Sequence, residues 1–328
     1  MTESADFIST APVTDEFTLA AKVVARSDET ERVAILTLAP VDGSHFPHWE
    51  PGAHIDLRLN LGLVRQYSLC GDPADLSTYR IGVLKETESR GGSAYLHERI
   101  SVGDSLSIGW PRNTFELAKS TRYLFIAGGI GVTPILPMIR WAELTGAEWT
   151  LAYTGRSRNS MAFIPELAGY SDHVSLFPKD ESGRVDLESL LKVPDGTLVY
   201  ACGPTSLLDA IEKHCEETLP PGTLRTERFR APELAVSAPS TSFVVECQLS
   251  GVDVEVAGDT SILAALRSAG FVMPSSCEEG VCGACETFVL GGQPDHRDSV
   301  LSDLDQSQNG CMMVCVSRSL TPRLILDL

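Results

Sequence analysis

Basic side chains are scarce in this 328-residue sequence: 26 lysines and arginines stand against 44 aspartates and glutamates, a formal net charge of −18. A chain with so few cations cannot neutralise many phosphates, so we expect no nucleic-acid partner. An acidic surface instead favours solubility or docking to a basic patch on another protein.

Long apolar runs are also lacking. The longest, residues 125–139, is interrupted by glycines and prolines and is too short for a membrane-spanning helix. The N-terminal residues MTESADFIST lack the apolar core of a signal peptide, so we expect a cytoplasmic protein without membrane contact. The apolar share of 43% is that of a globular chain, and the length predicts two or three domains.

A disulfide framework is not expected either. The nine cysteines are odd in number, and the chain shows no secretion signal. Five of the nine lie between residues 277 and 315, and such clustering is typical of a metal site.

Residues 15–117 predict a small antiparallel barrel or sandwich. Short β-like runs alternate with turn-forming residues, and one helix is expected near Gly92. The runs are residues 19–25, 33–38, 54–59, 65–69 and 79–83.

Residues 118–229 change to a βαβ rhythm, which predicts a parallel sheet covered by helices. The expected strands are 123–127, 149–153, 174–177 and 198–201, with helices over 135–144 and 207–217. Residues 230–242 are rich in Pro, Ala and Ser and predict an interdomain linker.

Residues 243–328 form the third segment. Two alternating strands, 244–249 and 252–256, precede a helix over 261–269 and then the cysteine cluster. This segment carries 4 basic and 12 acidic residues, so its surface is a candidate docking face for a basic partner.

The motif CEEGVCGAC places Cys277, Cys282 and Cys285 in a C-x₄-C-x₂-C spacing, and Cys315 follows after 29 further residues. This spacing is that of plant-type 2Fe–2S ferredoxins. Structural zinc is the alternative, although zinc sites usually pair one C-x₂-C with another. Cys311 competes as fourth ligand, but the longer gap favours Cys315.

A flavin site is predicted from RQYSL at residues 65–69 and SRGGS at residues 89–93. Tyr67 supplies a ring for the isoalloxazine, Ser68 a hydroxyl near its N5 edge, and Arg65 a cation for the phosphate. The glycine pair meets a predicted helix N-terminus, where free amides bind phosphate. A polar edge strand is the alternative interpretation of RQYSL.

The run AGGIGVTP at residues 127–134 follows an apolar strand and precedes a helix, as a dinucleotide loop requires. ACGP at residues 201–204 ends another strand of the same sheet, so both motifs are expected at its carboxyl edge. Cys202 is therefore predicted to lie near a nicotinamide ring. Glu227 and Phe229, in TERF, are expected beside the flavin where two domains meet; strand-end packing is the alternative.

Together these motifs, with the tail PDHRDSVLSD…MMVCVSR, resemble the phthalate dioxygenase reductase family over about residue 15 to the end. The resemblance implies an antiparallel β-barrel flavin domain, an α/β parallel-sheet nucleotide domain and a C-terminal α+β, ferredoxin-like (β-grasp) domain. It implies FMN, NADH and a plant-type 2Fe–2S cluster. Electrons would pass from NADH through FMN and the cluster to a terminal oxygenase, expected to be of the Rieske type.

The resemblance also implies roles for individual residues. Those expected at FMN are Arg65, Gln66, Tyr67, Ser68, Gly91, Gly92 and Ser93, with Val83 and Lys85 presenting backbone. Those expected at the dinucleotide are Gly128, Gly129, Gly131, Thr133, Pro134, Cys202, Gly203 and Pro204, with Phe229 beside the flavin. The reacting stack, formed by the flavin and nicotinamide rings, would be shaped by Ser68, Thr133, Cys202 and Glu227. The cluster would be ligated by Cys277, Cys282, Cys285 and Cys315.

Three points stay open. Arg156 and Arg158 follow the second strand of the nucleotide domain, and arginines there accept the 2′-phosphate of NADPH, so NADPH is an alternative donor. The acceptor is alternatively a diiron hydroxylase or a soluble cytochrome. A non-enzymatic zinc-binding or redox-sensing protein is a further alternative, but it leaves RQYSL, GGS and GGIGVTP unexplained. Nothing in the sequence requires more than a monomer.

Overall fold

The computed structural model describes residues 18–59, 63–86, 91–230 and 241–328. Ser89 and Arg90 of SRGGS, and residues 231–240 of the expected linker, lie outside the described residues. In the described residues, three larger sheets follow one another along the chain, in the order expected from the sequence, and residues 294–295 and 318–319 of the third domain pair as a separate two-stranded sheet.

The first sheet is antiparallel and has the order β4-β3-β6-β1-β2-β5, with the short β7 paired to β3. A bridge between Leu69 and Ile81 links its two edges, so the sheet closes as a barrel. Its elements are β1 Thr18–Thr30, β2 Val33–Pro40, β3 Ala53–Leu59, β4 Leu63–Ser68, β5 Tyr79–Leu84, α1 Gly92–Arg99, β6 Ser105–Gly109 and β7 Arg112–Asn113.

The second sheet is parallel, with the order β10-β9-β8-β11-β12. Chain order reverses between β8 and β11, which makes a crevice at their carboxyl ends. Its helix α2 ends where Gly146 adopts a left-handed φ of 69°. The elements are β8 Arg122–Gly128, α2 Val132–Thr145, β9 Glu148–Gly155, α3 Ile164–Leu167, β10 Val174–Pro178, α4 Lys179–Ser182, α5 Leu187–Leu190, β11 Leu198–Cys202, α6 Thr205–Thr218 and β12 Leu224–Glu227.

The third sheet is mixed, with the order β14-β13-β19-β15-β17 and β13 parallel to β19. Helix α7 begins at Ser261, whose hydroxyl accepts a hydrogen bond from the Ala264 amide at 3.1 Å. The elements are β13 Phe243–Cys247, β14 Val252–Val256, α7 Ile262–Ser268, β15 Glu286–Gly291, β16 Pro294–Asp295, α8 Asp303–Gln308, β17 Cys311–Met313, β18 Arg318–Ser319 and β19 Arg323–Leu326.

The apolar cores show how the three parts are joined. One cluster combines the second sheet and α2 with barrel residues such as Val33, Cys70 and Phe115, so the first two domains share a core. The third domain buries its own cluster, which includes Val245, Leu266 and Met312.

None of the helices in the described ranges is long and apolar enough to cross a membrane.

Candidate functional site

A cavity of about 520 Å³ opens where the three domains meet. Each domain contributes residues to its wall, and several of the predicted site residues lie there together. The barrel contributes His54, Arg65, Gln66, Tyr67, Ser68, Gly82, Leu84, Glu86 and Ser93; the second domain Ile130, Thr133 and residues 227–230; the third Glu279, Val281 and Cys282.

The RQYSL motif lies on β4, paired with β3. A Cβ added to Gly92 would come within 2.7 Å of Arg65 Cγ, so the Arg65 side chain occupies the space that this glycine leaves open. Gly91, just before α1, has a φ of 95° that only glycine adopts without strain. Tyr67 is partly buried and packs against the apolar core of the barrel, and burial raises the pKa of its hydroxyl.

Two features of this wall fit a flavin. The cradle formed by Arg65, Gly91 and Gly92 places a cation beside the amides that begin a helix, the donor set that binds a phosphate. In the part of the chain that the structure describes, the buried His54 Nε2 has no hydrogen-bond partner. A ligand in the cavity would supply one.

The strand β5 and the residues after it form part of the cavity wall. Gly82, Leu84 and Glu86 line the cavity, whereas Val83 and Lys85 do not. Side chains alternate along a strand, and the neighbours' backbone groups are already engaged: the Val83 carbonyl lies 2.9 Å from His97 Nε2, and the Lys85 carbonyl accepts from Arg32 Nη2 at 2.6 Å. A role for the Val83 and Lys85 backbone at the flavin stays a prediction.

The two glycine motifs of the second domain touch backbone to backbone at the β8–β11 crevice. A Cβ on Gly131 would lie 2.3 Å from the Cys202 carbonyl oxygen, and one on Gly203 would lie 2.9 Å from Gly128 Cα. Tyr153 donates its hydroxyl proton in this region, with carbonyl oxygens of Gly129 and Ala162 each at 3.1 Å. Larger residues at these glycines would separate the strand ends.

Next to this crevice lie the four residues expected to shape the reacting stack. Ser68, Thr133 and Glu227 line the cavity, and Cys202 is fully buried behind them with its Sγ 3.8 Å from Glu227 Oε2. Burial raises the pKa of Glu227 to about 8, although hydrogen bonds from Cys202 and Ser68 act to lower it. Burial, with the nearby Glu227, raises the pKa of Cys202 well above its ordinary value, so the thiol is protonated at neutral pH.

The remaining residues predicted at the nucleotide site lie on several different elements of the second domain. Gly129 and Pro134 belong to the loop and the first turn of α2, Pro204 directly precedes α6, and Phe229 lines the cavity with 40% of its surface exposed. Arg156 and Arg158 follow β9, outside the cavity wall. Arg158 is held by Glu181, with Nη2 3.1 Å from Oε2.

The four cysteines of the predicted cluster site are all buried, with at most 8% of any residue exposed. They form two pairs. The Cys277 amide donates to Cys282 Sγ at 3.4 Å, and the Glu279 amide donates to Cys277 Sγ at 3.3 Å. The neighbouring Cys282, with the amides of residues 279, 281 and 282, lowers the pKa of Cys277 to about 6. Cys315 likewise lowers the pKa of Cys285 through a hydrogen bond.

This pairing fits a 2Fe–2S cluster, which takes two thiolates on each of its two irons. Over the described ranges, no group of three or more His, Cys, Asp or Glu side chains is arranged to hold a single metal ion. Gly280 and Gly283 both have a φ of 73°, as tight turns around a cluster require. Cys311 lies on β17, where burial and then the neighbouring Glu286 raise the pKa of its thiol, and it is not paired with the other four.

Sequence reasoning missed one group of residues. Asp56 and His54 on β3, Arg112 on β7 and Ser276 before the cluster loop join the barrel to the third domain. A signal was present, because His and Asp alternate with apolar residues in AHIDLRL and both are buried. Buried polar residues in a strand need partners.

Comparison with known proteins gives a family model and a set of relatives. Residues 245–320 match the family described as the 2Fe-2S iron-sulfur cluster binding domain. The chain is 46% identical over 285 residues to phenoxybenzoate dioxygenase subunit beta of Ectopseudomonas oleovorans, covering 85% of this chain and 88% of that protein.

Two solved structures extend the likeness. An intact type IV self-sufficient cytochrome P450 monooxygenase is 41% identical with a TM-score of 0.90, covering 95% of this chain; the chain spans 41% of that longer protein. Phthalate dioxygenase reductase, described as a modular structure for electron transfer from pyridine nucleotides to [2Fe-2S], is 33% identical with a TM-score of 0.69, over 95% of this chain and 98% of that one.

These matches confirm the fold class expected from the sequence, the 2Fe–2S cluster, and the expected class of activity, an oxidoreductase with flavin and nicotinamide cofactors. The chain belongs to the phthalate dioxygenase reductase family.

Proposed function

We propose that this chain takes electrons from NADH and delivers them, through FMN and a 2Fe–2S cluster, to a Rieske-type terminal oxygenase acting on an aromatic substrate. The observation that carries the proposal is the shared cavity. The flavin strand, the dinucleotide loop and the ligand Cys282 line one space of about 520 Å³. Three redox groups in this family must be close together, and this cavity is where the three domains meet.

FMN is assigned to the barrel side of the cavity. Arg65, Gly91, Gly92 and Ser93 would hold its phosphate, and Tyr67 and Ser68, with Gln66, would lie along its ring. When bound, the flavin takes two electrons from the nicotinamide and returns them one at a time, chemistry that the side chains lack. The protein orients the partners and excludes water from the cavity.

The nicotinamide dinucleotide is assigned to the β8–β11 crevice, between residues 128–134 and residues 202–204. NADH is preferred over NADPH because Glu181 already pairs with Arg158, and Asp180 lies beside it on α4. Two carboxylates at the arginine loop repel a 2′-phosphate.

Glu227 is proposed to hold a proton at the cavity wall. Its raised pKa of about 8 favours the protonated carboxyl near neutrality, and the Ser68 hydroxyl beside it lies in the cavity wall. Cys202 packs behind it and fixes its position. Cys277 and Cys282 would hold one iron of the cluster, and Cys285 and Cys315 the other.

A cytochrome P450 is the second candidate acceptor. The observation that favours it is the TM-score of 0.90 to the self-sufficient P450 monooxygenase, against 0.69 for phthalate dioxygenase reductase.

The organisation proposed for the chain is a barrel domain at 15–117, a nucleotide domain at 118–229, a linker at 230–242 and a ferredoxin domain at 243–328. We further propose that the protein is a cytoplasmic monomer.

The acceptor is tested by mixing NADH-reduced protein anaerobically with a Rieske-type oxygenase and, separately, with a P450 haem domain. Stopped-flow absorbance reports reduction of each acceptor. Faster reduction of the Rieske centre, slowed by added salt because the acidic third domain docks by charge, is the expected result. Reduction of the haem alone would assign the P450 role instead. Sedimentation velocity of the same protein tests the monomer.

A further inference from the structure

The buried carboxylate of Asp56 joins the barrel to the third domain. It is 4% exposed and lies on β3. Arg112 donates to both of its oxygens, at 2.7 and 2.9 Å, and Gln66 Nε2 donates to Oδ1 at 2.9 Å. The hydroxyl of Ser276, from the third domain, donates to the same Oδ1 at 2.7 Å.

These partners connect two of the sites described above. Gln66 belongs to the RQYSL strand and faces Asp56 across the β3–β4 pair. Ser276 directly precedes the first cluster cysteine, Cys277. One carboxylate therefore connects the strand that lines the flavin cavity with the start of the cluster-ligand loop, residues 276–285, and Gln66 also hydrogen-bonds Ser276 directly.

Two more contacts hold the same loop. His54 lies two residues before Asp56, on the same face of β3, and lines the cavity close to Cys282 of the loop. A Cβ on Gly283 would lie 3.1 Å from Thr114 Cγ2, so the loop packs closely on the end of the barrel. The barrel thus contacts the loop at its beginning and beyond its middle.

The charge of Asp56 is balanced inside the barrel. Burial acts to raise the pKa of Asp56, but Arg112, Gln66 and Ser276 lower it below its ordinary value, so the group is a carboxylate. Its hydrogen bond to Ser276 is therefore charge-assisted, the stronger class of hydrogen bond. The apolar cluster that the third domain buries contains no residue of the barrel among those that the structure describes.

We propose that Asp56 is a positioning residue: through Ser276 it fixes the cluster-ligand loop against the flavin-binding strand and so sets the rate at which the cluster is reduced. This inference rests on the proposed function, because it assumes a flavin in the cavity and a cluster on the loop. It concerns the distance and orientation between the two sites, and neither Asp56 nor Ser276 takes part in the chemistry.

Ser276→Ala and Asp56→Asn test the proposal in the full-length holoprotein, with Ser275→Ala as the matched control. Ser275 is the adjacent serine, but its hydroxyl bonds Arg267 and Glu278 within the third domain. After anaerobic mixing with NADH, stopped flow records bleaching of the flavin band and then of the iron–sulfur band. Hydrogen–deuterium exchange of residues 274–283 gives a readout that is independent of turnover.

In Ser276→Ala we expect cluster bleaching to slow by about tenfold, the loss typical of one hydrogen bond to a charged group. Exchange of the loop should accelerate by a similar factor, while flavin bleaching and the Ser275→Ala protein remain as in the wild type. Asp56→Asn should slow cluster bleaching at least as much. If it does not fold, Ser276→Ala alone decides.

The proposal would be overturned if Ser276→Ala showed cluster bleaching and loop exchange at the wild-type rates. It would also be overturned if Ser275→Ala slowed cluster bleaching as much as Ser276→Ala does. Failure of the proposed function is a different result: NADH would then leave the flavin band of the wild-type protein unbleached.

Discussion

Gly131→Ala gives the sharpest steric test of the dinucleotide crevice. The new Cβ would lie 2.3 Å from the Cys202 carbonyl oxygen and 2.5 Å from its carbonyl carbon, both backbone atoms that cannot rotate away. Ordinary contacts begin near 3.5 Å, so the β8 loop and the end of β11 must separate by about 1 Å. The backbone at Gly131 is right-handed, with φ −62°, so the clash is steric rather than conformational.

The consequences follow from that displacement. Overpacking of this kind costs about 1–3 kcal/mol of stability. A misplacement of about 1 Å at a reacting site can cost about 100-fold in rate, so we expect kcat/KM for NADH to fall by up to that factor. The flavin content should stay unchanged, because the barrel is not displaced.

The assay is stopped-flow reduction of the flavin over a range of NADH concentrations, together with thermal unfolding. Gly169→Ala is the control, because a Cβ there meets nothing within 4 Å. A Gly131→Ala protein with wild-type kcat/KM and Tm would refute the reasoning, since the two strand ends would then tolerate a side chain between them.

Three further predictions follow from the site. Cys315→Ser should remove the iron–sulfur absorbance, whereas Cys311→Ser should retain it, and visible spectra with iron content measure this. The reverse result would identify Cys311 as the fourth ligand. Glu181→Gln, which frees Arg158, should raise kcat/KM for NADPH by about fivefold and leave NADH turnover unchanged, with the exposed Glu188→Gln as control; no change would remove Glu181 as a specificity residue. Glu227 titrates at 4.5 in the unfolded chain and at about 8 when folded, so the folded state binds more protons between these values and stability should fall as pH rises from about 4.5 to 8. Glu227→Gln should flatten that part of a Tm-against-pH profile, and an unchanged slope would contradict the assignment.

Much of the fold could be predicted because its signals are local. The apolar run at 123–127 and the glycines after it predict β8 and the turn into α2, and the structure has β8 at Arg122–Gly128. β6 and β12 were not among the expected strands. LRTE of β12 has a single apolar residue and therefore no strand pattern. SLSIG of β6 does alternate polar and apolar residues, but it is only five residues long.

The candidate site was less completely predictable, because part of it depends on contacts between domains. Asp56 and Ser276 are 220 residues apart and neither belongs to a motif. The register of β5 also depends on tertiary pairing: Val83 faces Ala34 of β2, and this places Gly82 and Leu84 at the cavity. A shift of one residue exchanges the two faces of a strand, and sequence spacing alone does not determine it.

The most direct test of the account is the anaerobic absorbance spectrum of the purified protein before and after NADH is added. We expect flavin and iron–sulfur bands that both bleach, since the cavity brings the three sites together. A spectrum without these bands from fully metallated protein would indicate zinc and no flavin, and would contradict the account.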